Sequence, residues 1–146
     1  MDTHNRGNKN EITVAAHIGN LGTVTDFING MLTGYGCPNK TIIQIDIIID
    51  ELFSNIAYYA YPNVMGDVTV GIEIIREQAP AAVITFTDCG IPYNPLERDN
   101  PDTTLSVRER KIGGLGIFIV RKNVDDISYE YAGSRNILRI KRGFDA

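Results

Sequence analysis

Between Thr41 and Pro62 the chain reads TIIQIDIIIDELFSNIAYYAYP. Ile45, Ile49, Leu52, Ile56 and Ala60 recur there at helical spacing and form one apolar stripe, the pattern of a helix packed on a core. A residue that precedes proline avoids the α region, so this helix ends ahead of Pro62. Glu51 and Asn55 stand four residues apart and share a face. Each is one residue out of step with the stripe, which puts the pair at its rim, with Ile47 and Ile48 a turn before Glu51. The pattern predicts a carboxylate and a carboxamide half removed from water. A polar edge on an ordinary core helix reads the same way, and only the rest of the chain separates the two.

On either side the periodicity changes repeatedly. Residues 1–10 read as a disordered tail and 11–146 as one domain. Glu11 to Ile18 predicts a strand, and about Asn20 to Leu32 a weaker helix, with Leu21, Val24, Phe27, Ile28 and Met31 at helical spacing. Gly34, Gly36 and Pro38 mark the turn into the long helix. Asp67 to Arg76 alternates as a strand through Val68, Val70, Ile72 and Ile74, and Ala81 to Thr87 is another, with Val83 and Phe86 as candidates for burial. EQAP between them suits a hairpin. DCGIPYNP follows, then the polar segment LERDNPDTTLSVRERKI, then IGGLGIFIVRKNV, which opens on glycines and continues as an apolar helix. ISYEYAGS and RNILRIKR close the chain as two strands about a Gly-Ser turn. The order β-α-α-β-β-loop-α-β-β predicts an α+β fold: a two-layer sandwich of a mixed, antiparallel-rich sheet with helices on one face.

Composition narrows the function. The 146 residues are 43% hydrophobic and 22% charged, enough for one domain with a proper core. A net charge of -4 with no basic run argues against direct nucleic-acid binding. Cys37 and Cys89 form no CxxC pattern, which suggests a reducing compartment, and His4 and His17 cannot build a metal cluster. The opening MDTHNRGNKN lacks the apolar region of a secretory signal, and Asp46 and Asp50 interrupt the richest apolar run, against a membrane span. A cytoplasmic location is the expectation. Asp46 and Asp50 themselves read as a solvated helix face, Cys89 as a small residue tolerated in a turn, and Tyr58 to Tyr61 as packing.

Two further stretches carry candidate chemistry. Asp88-Cys89-Gly90 sits where a strand runs out into a loop. A carboxylate there is commonly a turn former, but it can also accept a hydrogen bond from an exocyclic amine such as that of adenine. Gly90 permits positive φ or a close approach to the main chain. Gly113-Gly114-Leu115-Gly116 precedes a helix, where unpaired N–H groups attract anions and glycines let a phosphate reach the backbone. By itself this is as readily a loop hinge. It is not a Walker sequence, and the charged segment before it is unlike a dinucleotide fingerprint.

Together, E-x-x-x-N on a helix, D-x-G-x-P after a strand and GGLG opening a helix resemble the GHKL (Bergerat) ATP-binding fold of gyrase, heat-shock chaperone, histidine kinase and MutL ATPases. Within that group ELFSNIAYYAYP, FTDCGIPYNP, TTLSVRERKIGGLGIFIV and RNILRI are most similar to bacterial anti-sigma-factor serine/threonine kinases, over about Glu11 to Arg142. The resemblance implies ATP and Mg²⁺ as cofactors. Asn55 matches the asparagine that binds Mg²⁺, Glu51 the residue proposed as general base, and Asp88 the adenine-reading carboxylate, with Gly90 permitting the base to approach. Gly114, Leu115 and Gly116 match the phosphate-contacting turn. Leu96 to Ile112 matches a mobile lid, with Arg110 the candidate γ-phosphate contact. Asn136 falls in a terminal N-x-L pattern and is expected to support the sheet. Two departures stand out: Tyr59 replaces a common histidine, and Ile112 stands where kinase members place arginine, leaving Arg108, Arg110 or Lys111 to serve.

The function this implies is a kinase that binds a sigma factor and phosphorylates an anti-sigma-factor antagonist in a partner switch. The alternative is an ATP-binding regulatory module of the same fold that transfers little or no phosphate. A histidine-kinase catalytic domain is a third reading, but the short polar start supplies no helical segment with an acceptor histidine. A homodimer through the uncovered face of the sheet is a further expectation.

Overall fold

The computed structural model describes residues 9–76, 78–97 and 114–145. The chain runs β1 (Lys9–Ala15), a 3-10 turn at Ile18–Asn20, α1 (Leu21–Gly34), α2 (Asn39–Tyr59), β2 (Asp67–Arg76), β3 (Pro80–Asp88), a 3-10 turn at Pro95–Glu97, α3 (Gly114–Asn123), β4 (Asp126–Ala132) and β5 (Arg135–Gly143). The five strands form one sheet in the order β1-β2-β3-β5-β4. Every neighbouring pair in it is antiparallel. The fold is the α+β sandwich that the sequence implies, with hairpins β2–β3 and β4–β5 built on the alternating runs.

Alternation decides which side chains meet the helices. Val68, Val70, Ile72 and Ile74 of β2, Ala82, Ile84 and Phe86 of β3, and Leu138 and Ile140 of β5 all enter the core. Val83 does not. It is half-buried, because it lies an odd number of residues from Phe86 and a strand turns successive side chains to opposite faces. Lys9 and Asn10, expected in the tail, belong to β1 and pair with Glu73 and Ile72 of β2. Ile18 falls beyond β1, in the turn where His17 Nδ1 accepts the Gly19 N–H.

α2 is buried on more than its predicted stripe. Ile42, Ile45, Ile48, Ile49, Leu52 and Phe53 are all in the core, together with Thr41, Ser54 and Asn55. The helix is flanked by α1 on one side and α3 on the other, so three neighbours cover it where the stripe accounts for one. Asp50 is exposed, but Asp46 is half-buried, which corrects its assignment to a solvated face. Burial pushes its carboxyl up, against a hydrogen bond from Asn29 of α1, and nearby Asp26 adds to the rise. At the foot of the sheet, Arg142 ties the layers together. It is buried and donates to Gln44 Oε1 of α2, to the Asn123 carbonyl at the end of α3 (2.8 Å) and to the Gly143 carbonyl (3.2 Å).

Candidate nucleotide site

The register fixes the centre of the site. Asp88, the last residue of β3, stands directly opposite Asn136, the second of β5, on the helix-facing side of the sheet. Both are buried, at 5% and 6% exposure, where an uncompensated polar group is costly. They compensate each other: Asn136 Nδ2 donates to Asp88 Oδ1 at 2.9 Å, and the Gly90 N–H donates to the same oxygen at 2.8 Å. Among the described residues no donor reaches Oδ2. Burial pushes the Asp88 carboxyl up from its ordinary value, and the two N–H bonds pull it part of the way back.

Over this end of the sheet passes the C-terminal half of α2. Leu52, Asn55, Ile56, Tyr59 and Ala60 wall a pocket, partly open to solvent, whose other side is Asp88, Ile91, Tyr93, Pro95, Tyr129, Asn136 and Leu138. Its lining is mostly apolar, with a few polar groups converging, as in small-molecule pockets generally. Asn55 is the anomaly. It is 7% exposed, and neither its Oδ1 nor its Nδ2 has a hydrogen-bond partner among the described residues. Such a group is normally satisfied in a folded protein.

One turn back on α2, Glu51 lies against the first turn of α3. A Cβ added to Gly116 would fall 1.8 Å from Glu51 Oε2, so only glycine admits the carboxylate there. Gly114, Leu115 and Gly116 form that first turn, whose backbone N–H groups have no partners within the helix. Glu51 and Gly116 are thus in contact, and Asn55 and Asp88 share one pocket, with a single turn of α2 joining the two pairs. Arg110 lies outside the described residues, as does the lid segment from Arg98 to Ile112.

Gly90 answers to a different constraint from the one expected. Its φ is not among the positive ones. A Cβ there would sit 2.3 Å from the Ala60 carbonyl oxygen, and Ile91 N–H donates to that oxygen at 2.9 Å. The close approach is made by the end of α2 itself. Tyr61 reinforces the same junction, which corrects its reading as packing alone. Its hydroxyl accepts from the Cys89 N–H (2.8 Å) and donates to the Asp67 carbonyl (2.6 Å), while its ring fills the space a side chain at Gly66 would need. Tyr59 lines the pocket, and Tyr58 meets it edge to face at the surface.

Tyr129 and Tyr93 were not singled out by the sequence. The Tyr129 hydroxyl donates to Asn136 Oδ1, and the Tyr93 N–H donates to that oxygen at 3.2 Å. Counting back across the Gly-Ser turn would have placed Tyr129 on the same face as Asn136, two residues beyond its partner Tyr131. No local pattern marks Tyr61 or Tyr93.

The site suits a magnesium-bound adenine nucleotide. Asn55 Oδ1 is a hard oxygen without a partner among the described residues, and Asp88 lines the same slot together with apolar and aromatic groups. No group of three or more His, Cys, Asp or Glu side chains able to hold a metal occurs among the described residues. Among the same residues no helix is long and apolar enough to cross a membrane.

Residues 14–142 match the family described as Histidine kinase-like ATPase domain. A comparison with curated proteins gave no match. Among solved structures the chain is similar to the histidine kinase domain of the blue-light activated histidine kinase from Erythrobacter litoralis EL346, at 19% sequence identity and a TM-score of 0.51. The likeness covers 87% of this chain and 60% of that one. At that identity it is a likeness of fold, and the chain spans less than two thirds of that relative's length.

Proposed function

The chain belongs to the histidine kinase-like ATPase domain family, and from that premise we propose that it binds Mg-ATP between α2 and the Asp88 end of the sheet and acts as a serine/threonine kinase. The observation that carries the nucleotide reading is Asn55, a buried amide with both ends unbonded in the pocket that Asp88 also lines. Asn55 Oδ1 holds Mg²⁺, Asp88 accepts the exocyclic amine of adenine, and the first turn of α3 receives the phosphates. ATP supplies the transferred phosphoryl group. Glu51, beside that turn, takes the proton of the attacking serine hydroxyl as the serine oxygen bonds to the γ-phosphorus; the bond from that phosphorus to the β–γ bridging oxygen breaks, and ADP leaves with its electron pair.

The proposed partners are a sigma factor and an anti-sigma-factor antagonist, the antagonist carrying the acceptor serine. This rests on the resemblance of ELFSNIAYYAYP and TTLSVRERKIGGLGIFIV to anti-sigma kinases. A second copy of the chain is proposed to cover the open face of the sheet. Ile112, standing where such kinases place arginine, favours a second reading: a module that binds ATP and changes partner without moving phosphate. Purification of a tagged chain, followed by incubation of its co-purifying proteins with labelled ATP, separates them. Phosphoserine on a partner is the expected result, with Glu51→Gln still binding ATP but transferring about 10²–10⁴-fold more slowly. Wild-type transfer by Glu51→Gln would remove the base, and no transfer at all would leave the module.

A further inference from the structure

The Asn136 side chain spends every hydrogen bond it makes on the site. Nδ2 donates to Asp88 Oδ1 (2.9 Å), to the Ile91 carbonyl (2.9 Å) and, at longer range, to the Gly90 carbonyl (3.4 Å). Oδ1 accepts from the Tyr129 hydroxyl and the Tyr93 N–H. A backbone N–H can only donate and a backbone carbonyl can only accept, so the amide cannot be turned over. The donor end must face Asp88. The Gly90 N–H lands on the same carboxylate oxygen, at 2.8 Å. Two donors on Oδ1 fix the plane of the carboxylate and leave Oδ2 for whatever enters the pocket.

We propose that Asn136 is a positioning residue for base recognition: locked by Tyr129, it turns Asp88 so that one carboxylate oxygen is kept for an exocyclic amine. This extends the ATP reading above and rests on it. Asn136 itself has no donor left over for a base. Its contribution passes through Asp88, and Tyr129 contributes through Asn136. A side chain that merely held β5 in the sheet would weaken all ligands alike when removed. One that orients Asp88 weakens selectively, against the ligand whose amine the carboxylate accepts.

The experiment compares ATP with inosine triphosphate, which carries the same phosphates and sugar but a carbonyl in place of the exocyclic amine. Binding of both, with Mg²⁺, is measured by calorimetry for the wild type, Asp88→Asn, Asn136→Leu and Tyr129→Phe. The wild type is expected to prefer ATP. A hydrogen bond to a charged group contributes enough that Asn136→Leu should cut that preference about tenfold, toward the value of Asp88→Asn. Tyr129→Phe, which keeps the Tyr93 bond to Asn136, should cut it less, and it serves as the test if Asn136→Leu does not fold. An unchanged ATP preference in the Asn136 and Tyr129 variants, beside a lost one in Asp88→Asn, overturns the positioning role. A wild type that binds neither nucleotide overturns the ATP reading itself.

Discussion

Asn55 is held where its amide costs the folded protein something. A buried polar group without a partner is worse than an apolar one of the same shape by about 1–3 kcal/mol. Asn55→Leu keeps the volume and removes both unbonded atoms, so the nucleotide-free protein should become more stable by about 1 kcal/mol, or roughly 3 °C in melting temperature. The same change should abolish the further rise that Mg-ATP gives the wild type. Scanning calorimetry with and without Mg-ATP measures both. A lower melting temperature without nucleotide would mean the amide is satisfied in the free protein. Asp88 is in related tension, since burial raises its carboxyl and two N–H groups restrain the rise. The positions of Glu51 and Asn55 at the edge of an apolar stripe were legible from spacing alone. That Asn55 lacks a partner was not, because it depends on what β3, β4 and the Pro95 turn leave unoccupied around it.

The elements meet through two glycines that look alike in the sequence and differ in what they face. At Gly90 an added Cβ meets backbone, the carbonyl of Ala60, and the end of α2 would have to separate from the loop after β3. At Gly116 it meets the Glu51 side chain from Cγ to Oε2, which has rotatable bonds where the Ala60 backbone has a fixed carbonyl. Gly90→Ala should therefore destabilise by about 2–3 kcal/mol, within the range for overpacking a filled site, and Gly116→Ala by less. Urea midpoints of the two variants give the order, and the reverse order would show that α2 and the loop part readily. Element order and strand type were readable because hydrophobic period switches cleanly between two and 3.6 along the chain. What spacing could not supply was register. Asn136 was read as support for the sheet because nothing in RNILRI shows that its neighbour across the strand is Asp88. The width of α2's buried surface was missed for a similar reason. Periodicity reports one packed face, and this helix has three neighbours.

At the scale of the whole molecule, the described helices cover one face of the sheet, and no described element covers the other. There, Glu73 of β2 and Lys141 of β5 flank Val83 of β3 in a single row. A two-fold axis along β3 would set each Glu73 over the partner copy's Lys141, a self-complementary pairing. Glu73→Lys alone or Lys141→Glu alone should therefore split the proposed dimer, and the double exchange should restore it. Light scattering after size exclusion reads the mass directly, and a dimer indifferent to both single changes would place the interface elsewhere. The sheet also gives the molecule a polarity. β1 starts and β5 ends at the edge where Lys9 lies in the row of Glu73 and Gly143 in the row of Ala81, whereas Asp88 closes the other edge. Lys9 lies five rows and Gly143 seven rows from Asp88, roughly 17 and 23 Å at the usual rise per residue. A dye, a surface anchor or a neighbouring domain joined at either of those strand ends would thus hang from the pole opposite the pocket and leave its mouth clear. Tension applied through the end of β5 would enter along its hydrogen-bonded length beside β3 and would reach the Asp88–Asn136 pair last.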